Sequence, residues 1–341
     1  MSSCWLVSTG QLIWLEISLA EDAAASPQLA QRVRDGLGEH GTVRTAGPDP
    51  WSMVLTVEDP DLVEPLEWTF AAYTWDAVES ALERGMARLR RDRQAVLRRR
   101  PLTARTRGAA VVCAESAGVL MHECVAHSSE ADNFISYGSR LGITIGGLWS
   151  RLPLNVVDDP SLVPWVGSYG RDDEETVGRP VELIRCGRWV GLLSNRSTAA
   201  LTGDVSTGHG RGSPPRTPRG SVLTVGAGSL SEVELLGLVG DGWLLGTPTA
   251  GFSVGEFVEL RYSWAWSIRH GAMEPRAEAG VVGPLLVRAK KVSLVRQIIG
   301  IGSEQVVNSP LYPCVKDGVE VACTFISPAL ALRDLVIEPA S

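Results

Sequence analysis

Apolar and polar positions divide this chain into an alternating first stretch, a long helical stretch and a strand-rich remainder. Cys4–Val7 and Leu12–Leu19 read as a β-hairpin turned near Thr9-Gly10. Gln28–Leu37 reads as a helix closed by Gly38, and Ser52–Val57 as a strand. From Thr74 to Arg100 the apolar residues Ala77, Val78, Ala81, Leu82, Met86 and Leu89 recur at helical spacing, and Pro101–Gly108 reads as a joint. A short buried strand, Ala109–Cys113, runs into a second helix from Glu115 to about Glu130. Beyond Leu141 helices become scarce. Thr144–Trp149, Leu154–Val157, Val181–Cys186, Trp189–Leu193, Val222–Val225, Phe257–Trp264 and Val281–Val287 read as short strands. Arg185-Cys186-Gly187-Arg188 is a hairpin turn, and a helix over Leu230–Leu236 starts at Ser229 or Ser231. The pattern predicts an α+β protein. A small N-terminal α/β domain (residues 1–104) precedes a larger, mainly antiparallel, barrel-like β domain (residues 105–341) that carries the second helix.

At 341 residues and 44% hydrophobic, the chain has enough apolar content for a sizeable folded core. The net charge of -7 gives no general attraction to nucleic acid or an anionic membrane. No apolar run approaches the ~20 residues of a membrane span. The segment Met1–Ala20 lacks the basic start of a secretory signal and is interrupted by Glu16, so the expected location is the cytoplasm. The six cysteines (4, 113, 124, 186, 314 and 323) have no disulfide-framework spacing and read as thiols or metal ligands. Ten arginines fall between Arg84 and Arg107. They are either a solvated helix face and linker or a docking surface for an acidic partner.

The chemistry concentrates in His122-Glu123-Cys124-Val125-Ala126-His127, which holds two of the five histidines. Two imidazoles and a carboxylate within six residues suit a metal-activated water. The spacing is unusual, because at about 100° per residue positions i and i+5 lie roughly 140° apart on a regular helix. Either a one-residue π-bulge separates the two histidines or the helix ends before His127. On the six residues alone, a pair of helical histidines beside a surface glutamate remains open.

Together with downstream segments, this motif resembles the TldD/PmbA family of metallopeptidases, from about Ala109 to the C-terminus. Gly118-Val-Leu-Met121 precedes the motif as in that family, and Glu130-Ala-Asp132 matches its acidic Glu-x-Asp. Val157-Asp158-Asp159 and Gly170-Arg-Asp172-Asp173-Glu174 resemble a strand end and an acidic turn, and Leu183–Val190 a hairpin. Thr207-Gly208-His209-Gly210-Arg211 is similar to a Gly-Asn-Gly-Arg loop. Cys314-Val-Lys316-Asp317-Gly318 resembles the Cys-Gly-Lys-Asp-Gly element whose cysteine is the family's third metal ligand. The chain departs from the family at Ala126, Ser128, Glu175 and Val315, where glycine is favoured, and in a shorter N-terminal region.

The resemblance implies a His2Cys site of His122, His127 and Cys314 for one divalent ion, zinc in first place and iron as the alternative. Glu123 is the implied general base. His209 or Arg211 would stabilise an oxyanion or anchor a substrate carboxylate, and both also fit a purely structural loop. Asp158, Asp159, Asp172 and Asp173 read as turn caps, with the alternative that one of them orients a ligand histidine. Cys124 and Cys323 read as core residues. The implied substrates are unfolded or modified peptides, as in leader or natural-product processing. The implied assembly is a heterodimer with a related metal-free subunit, or a homodimer. Two other readings stay in view. One is a non-catalytic partner-binding protein whose structural metal takes His209 as a fourth ligand. The other is a nucleic-acid modulator using the arginine run, against which the net charge argues.

Overall fold

The computed structural model describes residues 3–8, 11–16, 27–47, 50–273, 280–311 and 313–340. Ser3–Ser8 pairs antiparallel with Gln11–Glu16, as the alternation predicts; residues 9–10 and 17–19 of that expected hairpin lie outside the described residues. The helix Pro27–Leu37 ends where predicted. Gly38 takes φ +84°, and its N–H donates to Arg34 O at 2.8 Å.

Strands Gly41–Ala46, Trp51–Val57 and Leu66–Ala72 form an antiparallel three-stranded sheet. It packs Met53, Leu55, Trp68 and Phe70 against Leu29 and Val33 of the first helix and Leu82, Met86 and Leu89 of the arginine-rich one. That arginine-rich stretch is two helices, Trp75–Ser80 and Leu82–Arg98, which meet at Ala81. Gly85 lets the second helix approach the sheet, since a β-carbon there would stand 2.5 Å from the Trp68 ring.

Most of the arginine run is engaged by partners within the chain, some of them at the surface. Arg88 pairs with Asp92, Arg93 with Asp59, Arg105 with Glu338 and Arg107 with Asp334. Arg84, Arg90 and Arg99 donate to backbone carbonyls, and Arg91 lies over the Trp264 ring. The buried Asp92 accepts from Trp264 Nε1 at 3.0 Å, and Ala71 N–H donates to Ser309 O at 2.9 Å. These bonds tie the N-terminal layer to the larger sheet.

The larger sheet is built around one 16-residue strand, Thr324–Pro339. It pairs antiparallel with Thr106–Val112, Ile298–Asn308 and Leu285–Lys290, and parallel with Val222–Val225. Gly242–Leu245 lies parallel to Thr106–Val112, and the other pairs in the sheet are antiparallel. The α+β class therefore stands, with a sheet-dominated body. Among the described residues the sheet does not close into a barrel, which corrects the barrel-like expectation.

Several strands are shorter than the pattern suggested. Thr144–Trp149 is a turn rather than a strand, because Gly146 takes φ +84° and Gly147 N–H folds back to Thr144 O. Val281–Val287 is split by Gly283-Pro284 into Val281–Val282 and Leu285–Lys290. The helix near Leu230 runs over Glu232–Val239. Ser231 is its N-cap, in a reciprocal capping box with Glu234.

Candidate metal centre

Strand Thr106–Val112 enters helix Ala114–Met121, which lies across the long Thr324–Pro339 strand. Gly118 makes the crossing close, since a β-carbon there would stand 2.8 Å from Phe325 Cβ. At His122 the helix widens into a π-turn over His122–Ala126, and His127 N–H donates to His122 O. That i to i+5 bond sets the two histidines one turn apart on the same face. Of the two geometries open from the spacing, the π-bulge is the one adopted. The imidazole centroids are 4.5 Å apart.

The third donor arrives on a hairpin. Cys314–Lys316 pairs with Val319–Val321 across Asp317-Gly318, both at positive φ (52° and 76°), which is the Asp-Gly signature of a tight two-residue turn. Strand alternation puts Cys314 and Lys316 on the face that meets the histidines, and Val315 on the other. Cys314 Sγ lies 3.2 Å from His122 Nε2 and 3.4 Å from His127 Nε2, and the three donor atoms fall within 4.8 Å of one another. Tetrahedral zinc with Zn–N near 2.0 Å and Zn–S near 2.3 Å places an imidazole nitrogen and a thiolate sulfur ~3.5 Å apart. Donor chemistry and spacing therefore fit a His2Cys ion site.

A second layer fixes the donors. Glu130 is fully buried, and its Oε2 accepts from His127 Nδ1 at 3.0 Å, Asn133 Nδ2 at 2.8 Å and Lys316 Nζ at 2.9 Å. With its proton on Nδ1, His127 presents the Nε2 lone pair to the cluster. Burial would raise the Glu130 carboxyl, but His127, Lys316 and Arg219 outweigh it and hold the group down to about 2. Burial likewise opposes charge on His127, yet Glu130 and the Cys314 sulfur lift its pKa well above 6.5. The Cys314 thiol is pulled well below its ordinary value, first by a hydrogen bond from Cys323 and then, against burial, by the two histidines. It is thus poised to be a thiolate ligand. Arg219, also fully buried, donates to the Cys314 carbonyl and sulfur.

Glu123 lies beside the cluster, with Oε2 3.9 Å from His127 Nε2. Gly251, on the sheet-edge strand Pro248–Val254, leaves it room: a β-carbon there would stand 3.2 Å from Glu123 Oε1. Lys291 is buried nearby, with Nζ 3.3 Å from the Tyr137 hydroxyl, and that hydroxyl lies 3.3 Å from His127 O.

His209 and Arg211 lie apart from the three donors. His209 is buried, with Nε2 3.2 Å from Asp158 Oδ1 and Nδ1 3.0 Å from Thr207 Oγ1. Arg211 Nη1 donates to Gly220 O and Ala322 O, and its guanidinium covers the Tyr169 ring at 4.9 Å. Asp159, Asp172 and Asp173 accept from loop N–H groups, whereas Asp158 also binds Ser221. The group bonded to a ligand histidine is Glu130 rather than one of those aspartates. Cys124 is buried core, its thiol pushed up to about 12 by burial. Cys323 is buried too, and it also touches the site. Glu175 adopts φ +60°, a left-handed conformation that glycine takes without strain.

Arg219, Lys291 and the roles of Glu130 and Lys316 emerge only from the folded chain. Lys316 had a signal, being two residues from Cys314 before an Asp-Gly turn. Arg219 had a weaker one, a charge between Pro218 and Gly220 at the entry to an apolar strand.

A helix-borne histidine pair closed by a hairpin cysteine, on a sheet-dominated α+β body, defines a candidate metal centre. Residues 106–332 match the PmbA/TldA metallopeptidase C-terminal domain, and the chain belongs to the PmbA/TldD family. It is 27% identical over 228 residues to a metalloprotease of Synechocystis sp., an alignment covering 64% of this chain and 47% of that one. It is 31% identical over 193 residues to a metalloprotease of Methanocaldococcus jannaschii, covering 53% and 41%. The chain thus spans about half the length of the curated relatives it matches. Its fold is that of TldE from Thermococcus kodakarensis, with a TM-score of 0.68 at 16% identity over 91% of this chain and 72% of that one.

Proposed function

We propose that this chain is a metal-dependent peptidase acting on unfolded or modified peptides, with His122, His127 and Cys314 as ligands and Glu123 as general base. The observation that carries this reading is the convergence of three ligand atoms within 4.8 Å beside the Glu123 carboxylate. A divalent ion held there supplies Lewis acidity toward a peptide carbonyl and toward a water molecule. Thiolate and imidazole donors favour zinc, with iron the alternative.

The protein's own work is proton handling and orientation. Glu123 accepts the proton of the attacking water and returns it to the leaving amine. Glu130 fixes the His127 tautomer through Nδ1. His209 and Arg211, bonded to Asp158 and to backbone carbonyls, shape the loop beside Gly220. Any substrate contact from His209 requires its bonds to be shared, since both ring nitrogens are engaged, whereas only Nη1 of Arg211 is committed to the carbonyls.

The proposed setting is cytoplasmic; among the described residues no helix is long and apolar enough to cross a membrane. Residues 1–104 form one domain and 105–341 the other. The active assembly is a dimer with a related metal-free chain or with itself, and the substrates include leader segments or natural-product intermediates. A structural metal in a binding protein requires a fourth protein ligand, and His209, the candidate for it, is committed to Asp158 and Thr207.

The test is hydrolysis of an unstructured peptide library by the parent and by Glu123→Gln, with metal content measured in both. The expected result is equal metal and a rate lowered about 10²- to 10⁴-fold in the variant. Equal rates would remove Glu123 from its role, and a metal-loaded parent that cleaves nothing would favour the binding-protein reading.

A further inference from the structure

Arg219 lies on the loop between the two-residue strand Thr217–Pro218 and strand Val222–Val225, and none of its surface reaches solvent. Nη1 donates to Val319 O at 2.9 Å. Nη2 donates to the Cys314 carbonyl at 2.7 Å and to Cys314 Sγ at 3.2 Å. Nε faces Glu130 Oε1 at 3.9 Å, an ion-pair distance too long for a hydrogen bond, and neither of those two atoms has a hydrogen-bond partner among the described residues. One guanidinium therefore spans both sides of the cluster, the sulfur directly and His127 through Glu130.

Stitching the hairpin carbonyls together needs donors but not a charge, and an enclosed guanidinium carries a large desolvation cost. The groups that justify a cation are the Glu130 carboxylate and the Cys314 sulfur when it is a thiolate. Arginine suits the place because its planar fork reaches a carbonyl and a sulfur at once, which a lysine ammonium cannot do with the same rigidity.

We propose that Arg219 is a positioning residue of the metal centre: its Nη2–H···Sγ bond aims the Cys314 sulfur at the two Nε2 atoms and draws electron density from it. The inference rests on the His2Cys reading above. A thiolate is the strongest electron donor of the three ligands and, unmodified, dampens the Lewis acidity of a bound ion. A hydrogen bond to the sulfur lone pair offsets that donation. The two ligand sides are then tuned oppositely. Glu130 makes His127 more basic, and Arg219 makes Cys314 less donating.

The experiment is cobalt(II) substitution of the parent, Arg219→Lys, Arg219→Met and Cys314→Ser, followed by absorption spectroscopy. The parent is expected to show a sulfur-to-cobalt charge-transfer band that is absent in Cys314→Ser. The band should move to longer wavelength in Arg219→Met, and less far in Arg219→Lys, because an unbonded sulfur lone pair lies higher in energy. A folded Arg219→Met with the parental band position would overturn the proposal and leave Arg219 a structural stitch. If neither Arg219 variant folds, the ¹¹³Cd-loaded parent decides. Scalar coupling from cadmium through Cys314 Sγ to a slowly exchanging arginine Nη proton supports the bond, and its absence overturns it. A parent that binds no cobalt fails at the metal site itself, before any Arg219 variant is compared.

Discussion

Replacing Glu130 with glutamine tests the buried electrostatics of the site more sharply than removing a ligand does. The amide keeps the shape but not the charge, and it leaves Lys316 and Arg219 facing a neutral group. Lys316 retains Asp132, at 2.7 Å, so the loss falls mainly on the contacts that Glu130 makes itself. The carboxyl is held from an ordinary 4.5 down to about 2. At 1.36 kcal/mol per pH unit, that difference corresponds to roughly 3 kcal/mol of folded-state stabilisation. The figure agrees with the ~3–5 kcal/mol lost when one member of a buried ion pair is removed.

The folded pKa lies below the unfolded one, so the stabilisation is complete above pH 4.5 and is lost as pH falls toward 2. Glutamine does not titrate. Urea unfolding of chelator-treated parent and Glu130→Gln should therefore differ by about 3 kcal/mol at pH 7. The gap should narrow steadily below pH 4.5. A difference under ~1 kcal/mol at pH 7, or a gap that persists unchanged at pH 3, would refute the reasoning.

Two further perturbations test the scaffold. Gly118→Val places a branched side chain where even a β-carbon would stand 2.8 Å from Phe325, whose ring packs on His122 at 4.8 Å. Overpacking of this kind costs about 1–3 kcal/mol, and calorimetry should record a lower Tm, whereas an unchanged Tm would mean that the helix and long strand have slack. Ser231→Ala removes the capping box with Glu234 at a cost of about 1 kcal/mol. Chemical denaturation should find that loss with peptidase activity unchanged, and a loss of activity would place that helix nearer the chemistry than its position implies.

The parts of the site legible in the sequence were those encoded locally. The i, i+5 spacing of His122 and His127 admits a shared face only with a wider turn, and the chain makes one. Asp317-Gly318 carries its own hairpin turn and, with strand alternation, puts Cys314 and Lys316 on one side. The strand Thr324–Pro339 was missed because much of it is buried on both faces, as Leu330, Ala331 and Leu332 are, which erases the period-two signal. Thr144–Trp149 misled in the opposite sense, its apolar residues flanking a glycine pair that folds back on itself. Arg219 acts on Cys314 from 95 residues away, and no local pattern specifies such a partner. Glu130 stood out as part of a motif, but its fourfold surroundings exist only once the hairpin and the Arg219 loop have closed over it.

The central claim is that His122, His127 and Cys314 hold one ion together. It is tested most directly by elemental analysis of the gently purified parent beside His127→Ala and Cys314→Ala. The account predicts close to one equivalent of zinc or iron in the parent and loss of it in both variants, with folding confirmed by circular dichroism. Metal retained at the parental level in folded Cys314→Ala would contradict the ligand set, and so would a parent that stays metal-free after reconstitution with zinc and with iron.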